Sequence, residues 1–438
     1  MNPDTIVAPA TPPGHGGVSL IRLSGPDSKS IAKKITGFNS LENRRSTFTS
    51  ILGKGGKIDD VIITFFKSPS SYTGEDVAEL SCHGNPTIVD QIISLVCNLG
   101  ARLAEPGEFT KRAFLNGKLD LIQAESVSGL IGSKSAKAAE INQRVLSGAL
   151  SKKLTILKET LIGVLAELEF EFDISEDDLF RPNLIPNSLN LINNNILTCD
   201  GLLSSFKEGR MYNNGSRVVI FGSPNVGKST LLNALLEKDR AITSDVPGTT
   251  RDTVEAQIIL NGIPVTYVDT AGVRESNEPI EADGVRRSMN EIENADLLLH
   301  VFTNEDYLVD NIINKQHLKV FNKSDLYPPP KNVNGLIAVS ALRGTGIKEL
   351  KEKIEKSLKQ QNCTESDIVL TTRRQVDSIS DCKENLVRAT AQLNNAKPEL
   401  ELVSFEIREA INNLDVLMGK TAVDEILNMV FSGFCVGK

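Results

Sequence analysis

The chain has 438 residues, which at roughly 150 residues per domain suggests about three domains, each able to bury a core. Hydrophobic residues make up 40% and charged residues 24%, an ordinary globular composition that excludes wholesale disorder. The 48 basic and 56 acidic residues give a formal charge of −8, which excludes a whole-molecule positive field; with no Trp and 5% aromatics, base stacking is a poor main mode of nucleic-acid contact.

The acidity is uneven. Residues 1–120 carry 13 Lys/Arg and 12 Asp/Glu, a net of +1, whereas 121–213, 214–366 and 367–438 each come to −3. The N-terminal part is therefore the better place for an anionic ligand. The opening MNPDTIVAPATPPGHGG has neither the basic nor the apolar region of a secretion signal, and no apolar run approaches the ~20 residues that span a bilayer. Six cysteines at irregular spacing, without CxxC, fit a reducing compartment. A cytoplasmic protein with no membrane partner is expected.

Along residues 1–118, Gly17–Leu23, Asp60–Phe66 and Asp76–Cys82 read as strands, and a helix is predicted over Thr87–Leu99 with Asn85 as its cap and Pro86 in its first turn. This makes an α+β domain. From Leu119 to Phe172 apolar residues recur at helical spacing, and a further helix follows near Asn187–Glu208. Residues 214–366 alternate strands and helices. Helical texture returns in Arg373–Leu393, Leu400–Leu417 and Thr421–Phe431. The economical architecture is an all-α domain (119–213 and 367–438) interrupted by an inserted α/β domain of P-loop type (214–366).

The inserted segment carries the chemistry. The strand Arg217–Phe221 runs into Gly222-Ser-Pro-Asn225-Val226-Gly227-Lys228-Ser229-Thr230, a GxxxxGK[ST] loop before a helix. Its amides cradle phosphate oxygens, Lys228 reaches the β- and γ-phosphates, and the Ser229 hydroxyl ligates Mg²⁺. About 95 residues on, Asn322-Lys323-Ser324-Asp325 closes the strand LKVF. Asp325 can accept from N1–H and the exocyclic amine of guanine, a donor pair adenine lacks, and Ser340-Ala341 would bring backbone amide to guanine O6. The ligand is GTP or GDP. Pro264–Asp269 is a strand ending in Asp269-Thr270-Ala271-Gly272, where Asp269 holds Mg²⁺ through water and Gly272 senses the γ-phosphate. Upstream, Ser244-Asp245-Val246-Pro247-Gly248-Thr249-Thr250 supplies a threonine, most simply Thr250, to close over Mg²⁺. Val273 stands where many GTPases place a water-orienting Gln, and an aliphatic side chain cannot do that work. Either the domain is a slow switch or the catalytic group lies elsewhere; Glu275, Glu278 and Glu281 follow, at least two of them as solvated loop acids.

Four further segments resemble one family across nearly the whole chain: DTIVAPATPPGHGGVSLIRLSG, YTGEDVAELSCHG, PGEFTKRAFLNGKLDLIQAE and the terminal FCVGK. They are similar to the MnmE (TrmE) family of bacterial tRNA-modification GTPases, within the TrmE-Era-EngA-like superfamily. The resemblance implies a K⁺-stimulated GTPase that works with MnmG (GidA), an FAD protein, as a heterotetramer or larger assembly. Together they add a carboxymethylaminomethyl or aminomethyl group at C5 of the wobble uridine (U34) of certain tRNAs. It implies an N-terminal domain that dimerises and binds 5-formyl- or methylene-tetrahydrofolate, with contacts falling on Arg22, Glu79, Lys118 and Lys438. The K⁺ site falls on Asn225, Ser244, Val246 and Thr249, and the hydrolytic acid on Glu281. Cys435 becomes a candidate catalytic thiol, with packing in the FSGFCV tail as the plainer alternative and CVGK a poor prenylation signal. Asn85, where a Gly after HG is common in the family, could reshape the turn beside the folate pocket.

A different class, a GTPase switch that docks on ribosomal RNA, would need a basic appendix. Residues 367–438 are net −3 with no KH-like GxxG loop in basic surroundings, so the enzyme is favoured.

Overall fold

The computed structural model describes residues 4–53, 55–173, 183–236, 255–269, 290–303, 317–330, 333–362, 368–421 and 424–437. They gather into two compact units: Met1–Ser128 with Val145–Glu159 and Ile411–Lys438, and Gly129–Arg144 with Thr160–Ala410.

The first unit is built on a six-stranded sheet of order β3-β4-β5-β2-β1-β6. Its strands are β1 (Ile6–Pro9), β2 (Gly16–Ser24), β3 (Ser46–Gly53), β4 (Gly56–Phe66), β5 (Val77–Gly84) and β6 (Arg102–Leu103). Neighbours run antiparallel except β1 and β6. Alternation puts Ile21, Leu23, Ile51, Val61, Ile63, Phe65, Ala78 and Leu80 on one face, under α1 (Ser28–Thr36) and α2 (Pro86–Cys97). Each such burial contributes about 1.5–3 kcal/mol. The predicted strands are all present, and α2 starts as its cap residues require. The Asn85 side chain accepts from the Thr87 amide at 2.9 Å, and Pro86 occupies the first turn, where no amide partner is needed.

Helices α3 (Glu108–Leu115), α4 (Leu121–Ile131), α5 (Ala136–Leu146), α6 (Ala149–Asp173) and α7 (Leu184–Asn213) follow β6. Helix α7 begins three residues before the predicted start, because Pro186 sits in its first turn without costing a hydrogen bond.

The second unit holds the other sheet, of order β12-β11-β10-β7-β9-β8. Its strands are β7 (Ser216–Phe221), β8 (Glu255–Leu260), β9 (Ile263–Asp269), β10 (Leu297–Phe302), β11 (His317–Phe321) and β12 (Leu336–Ala338). All neighbours are parallel except the β8–β9 hairpin. Such a sheet is covered on both faces, which explains the nearly continuous burial along β9 and β10. Helices α8 (Lys228–Leu236) and α9 (Ile347–Asn362) contribute Leu231, Leu232, Leu350 and Ile354 to its core. That core continues into Met211 and Tyr212 of α7.

The sheet fixes where a ligand goes. The chain leaves β7 toward β9 on one side and later toward β10 on the other, so a crevice opens beyond the carboxyl end of β7. The Gly222–Ser229 loop lies there. Helices α10 (Arg373–Leu393), α11 (Leu400–Met418) and α12 (Asp424–Ser432) complete the described chain. A capping box starts α10: Thr372 accepts from the Gln375 amide and the Gln375 side chain turns back to Thr372.

Candidate active site

The phosphate loop is tight for a reason visible in its backbone. Asn225 and Gly227 both adopt positive φ, +64° and +91°, and a Cβ at Gly227 would fall 2.5 Å from Asn322 Nδ2. Lys228, the first residue of α8 and 6% exposed, donates through Nζ to the carbonyls of Gly222 and Ser223, each at 2.9 Å. Its ammonium thus lies across the loop that its charge serves. Val226 is buried and Thr230 exposed on α8.

Ser229 and Asp269, forty positions apart, meet at the carboxyl ends of α8's loop and β9: the hydroxyl donates to Asp269 Oδ2 at 2.8 Å. Two hard oxygen donors side by side, next to a phosphate loop, fit Mg²⁺, which takes few protein oxygens and fills its octahedron with nucleotide oxygens and water. Among the described residues no three His, Cys, Asp or Glu side chains cluster to hold a metal unaided.

The base-recognition motif is wired into the phosphate loop. Asn322, 2% exposed, donates from Nδ2 to the Val226 carbonyl at 2.8 Å, and its Oδ1 accepts the Ala341 amide at 3.1 Å. Lys323 Nζ donates to the Asn225 carbonyl at 2.8 Å. Asp325 lies beside Arg343, whose Nε is 3.5 Å from Oδ2. A hydrogen bond from the fully buried Ser340, with a smaller contribution from Arg343, holds the Asp325 carboxyl below the usual carboxylate range. It is therefore an ionised acceptor at neutral pH, as guanine recognition requires. Strand β12 ends at Ala338, and beyond it Ser340 bridges to Thr345. Ser244, Asp245, Val246, Pro247, Gly248, Thr249, Thr250, Thr270, Ala271, Gly272, Val273, Glu275, Glu278 and Glu281 lie outside the described residues.

In the first unit, Arg22 on β2 and Glu79 on β5 are register partners, and Arg22 Nε donates to Glu79 Oε1 at 2.8 Å. The Arg22 guanidinium lies 5.2 Å from the Tyr72 ring centroid and 5.7 Å from that of Phe109. Lys118 is exposed, and its Nζ donates to the Pro69 carbonyl at 3.1 Å. All three residues thus border the loop of residues 67–76. Lys438 lies outside the described residues.

What sequence reading missed is the network that anchors this loop. Arg112, half-buried on α3, donates to Glu75, to Glu108 and to Asp4, while Arg102 grips Glu108 through two nitrogens. Ser24 and Thr73 hydroxyls meet at 2.7 Å. Against burial, the hydrogen bonds from Arg102, the Glu105 amide and Arg112 hold the Glu108 carboxyl below its usual range. The charged residues of GEFTKRAF gave the only signal, and charge alone did not say that they were buried.

The C-terminal tail belongs to the same unit. Phe431 and Phe434 pack with Leu121, Ala124 and Leu427, whereas Cys435 is exposed. The Gly107 amide reaches the Cys435 carbonyl at 3.5 Å. Gly437, with φ +94°, lies so close that a Cβ would fall 2.0 Å from the Pro9 carbonyl oxygen. Pro9 neighbours Ala8, the register partner of Arg22, so the tail lies against the end of β1, the strand next to the one that carries Arg22.

A parallel sheet whose central strand feeds a GxxxxGKS loop, tied through Asn322 to an NKxD motif, defines a P-loop GTPase domain. Residues 5–118 match the family model described as GTP-binding protein TrmE N-terminus, and residues 121–435 match the MnmE helical domain. The tRNA modification GTPase MnmE of Thermotoga maritima is 40% identical over 453 residues, covering 99% of this chain and all of that protein. Its counterpart in Aquifex aeolicus is 39% identical over 449 residues, with the same coverage. Among solved structures, the G domain of the Thermotoga maritima FeoB iron transporter aligns with 32% of this chain and 98% of its own, at 25% identity and a TM-score of 0.25. The chain belongs to the MnmE family of tRNA modification GTPases.

Proposed function

We propose that this GTPase acts on tRNA, using GTP hydrolysis to drive, together with MnmG, the addition of a carboxymethylaminomethyl or aminomethyl group at C5 of wobble uridine U34. One observation carries the reading: a phosphate loop braced by Asn322 of the NKxD motif lies in a chain whose residues 5–118 and 121–435 match the TrmE N-terminal and MnmE helical models. Ser229 and Asp269 are the residues that would hold Mg²⁺, with Thr250 closing over it; bound there, the ion neutralises charge developing on the β- and γ-phosphates. Asn225, with Ser244, Val246 and Thr249, would hold K⁺, and Glu281 would serve as the hydrolytic acid that Val273 cannot be.

The one-carbon donor is 5-formyl- or methylene-tetrahydrofolate, bound in a homodimer of the N-terminal domain (1–118). Arg22 and Glu79 already pair with each other, so a folate would engage the pair as a donor–acceptor unit rather than two independent charges. Lys118, exposed beside Pro69, supplies a cation, and Lys438 a second from the tail. Cys435, exposed on a tail that docks next to the Arg22 strand, is suitably placed as a thiol for that chemistry. The helical domain (119–213 and 367–438) carries the inserted GTPase domain (214–366). FAD belongs to MnmG. Among the described residues no helix is long and apolar enough to cross a membrane, which suits a cytoplasmic enzyme without a membrane partner.

The test is nucleoside analysis of tRNA from a deletion strain complemented with this chain. The modified wobble uridine should return, and should stay absent with the Glu281→Ala chain although that protein still binds GTP. Unmodified uridine with the wild-type chain present would reject the proposal.

A further inference from the structure

Cys199 on α7 and Cys382 on α10 are both fully buried, and their thiols hydrogen-bond to each other. The next residue on each helix repeats the meeting: Lys383 Nζ lies 2.6 Å from Asp200 Oδ1. Farther along, the Leu370 amide donates to the Ser205 hydroxyl at 3.1 Å. Set against the Cys199–Cys382 and Asp200–Lys383 pairs, the distant Ser205–Leu370 contact makes the two chain segments antiparallel. Among the described residues, no hydrogen bond or ion pair joins either thiol to a nucleotide- or folate-site residue. The plain reading is two small apolar side chains filling a helix seam. That reading does not call for two thiols at the same point of it, where any small apolar pair would do.

The two sulfurs are not equivalent. The hydrogen bond with Cys199, together with burial, pushes the Cys382 thiol up. The same hydrogen bond, aided by nearby Lys383, holds the Cys199 thiol down against burial and against Asp200. The pair is thus asymmetric, with Cys199 taken to attack first.

We propose that Cys199 and Cys382 form a reversible disulfide across the α7–α10 seam, with a small hydroperoxide as oxidant. The Cys199 thiolate attacks one peroxide oxygen; the O–O bond breaks, hydroxide leaves with a proton as water, and Cys199 becomes a sulfenic acid. Cys382 then attacks that sulfur; the S–O bond breaks, and the departing hydroxide takes the Cys382 proton. In sum, two thiols and one hydrogen peroxide give one disulfide and two waters, the sulfur pair losing the two electrons that the peroxide gains. A dithiol reverses it by exchange. The position gives the bond a consequence. Helix α7 ends at Asn213, three residues before β7, and α10 starts after α9 closes the nucleotide domain. The disulfide therefore closes into one covalent loop the stretch of chain that carries the whole GTPase domain.

The experiment uses the full-length protein. After treatment with hydrogen peroxide, denaturing alkylation and digestion without reductant, mass spectrometry should find a Cys199 peptide joined to a Cys382 peptide, and dithiothreitol should remove it. Native reduced protein should show Cys435 alkylated by iodoacetamide and these two spared. In Cys382→Ser, peroxide should leave Cys199 as a sulfenic acid that dimedone traps. Recovery of both cysteines separately alkylated after peroxide, or joined only to other cysteines, would overturn the proposal, and this wild-type result stands whether or not the variant folds.

Discussion

Asn322 is the residue on which the nucleotide site's rigidity turns. It is buried, and one side chain satisfies a carbonyl of the phosphate loop and an amide of the guanine-facing loop. Truncation to Ala leaves both groups buried and unpaired, at about 1–3 kcal/mol for such a loss, or about 5- to 150-fold in affinity. Fluorescent GDP titration of Asn322→Ala should show that weakening, and unchanged affinity would mean the bridge is ornamental. The motifs name the residues expected to face the ligand. They do not reveal that Asn322 faces inward, because NKxD spacing carries no information about what the Asn side chain touches. Arg22 and Glu79 show the complementary limit. Both are named only through the family resemblance, and their mutual pairing follows from β2 and β5 being register partners, a long-range fact.

At the scale of elements, local chemistry was legible where it was strong. The Asn85-Pro86 start of α2 is an example, and it gives a prediction: Asn85→Ala should cost about 1 kcal/mol of stability, read as a lowered urea midpoint with GTP affinity unchanged. Substitution without effect would deny the cap its role. Elements missed had weaker or overlooked signals. The β8–β9 hairpin turns on Asn261-Gly262, both at positive φ, a two-residue signal present in ILNGIPV that propensity alone would have served. Helix α1 was missed because SKSIAKKIT is short and polar on one face; it is helical because Ile31, Ala32 and Ile35 dock on the sheet. The predicted start of the last helix at Thr421 falls in a turn, and α12 begins at Asp424, an acidic residue well suited to a helix N-terminus.

Two predictions belong to the whole molecule. Glu108 is 9% exposed and its carboxyl is depressed by Arg102 and Arg112, so its contribution to stability is full above the unfolded value near ~4.3 and disappears as pH falls through the lower folded value. Melting temperature followed from pH 7 to 3 should therefore fall less steeply for Glu108→Gln, which starts lower at pH 7; parallel curves would remove Glu108 as the cause. The second concerns the proposed ion: exchanging K⁺ for Na⁺ at constant ionic strength should lower GTP turnover of the intact protein. Equal rates would refute an Asn225-centred site. The charge of −8 fits this picture, since it leaves the near-neutral residues 1–120 as the place for an anionic cofactor and leaves tRNA contact to a local patch or a partner.

The first unit draws on residues 1–128, 145–159 and 411–438, so its last segment is made well after the first. At about 5–20 residues per second, a ribosome needs on the order of 15–60 s to pass from one to the other. Through that interval Phe114 and Leu121 have no Phe431 or Phe434 to cover them. A chain that stalls or shifts frame anywhere in between leaves that apolar surface bare, the kind of exposed surface that chaperones and proteases act on. The aromatic segment thereby ties late synthesis to early: the apolar surface around Leu121 stays bare until Phe431 and Phe434 have been made.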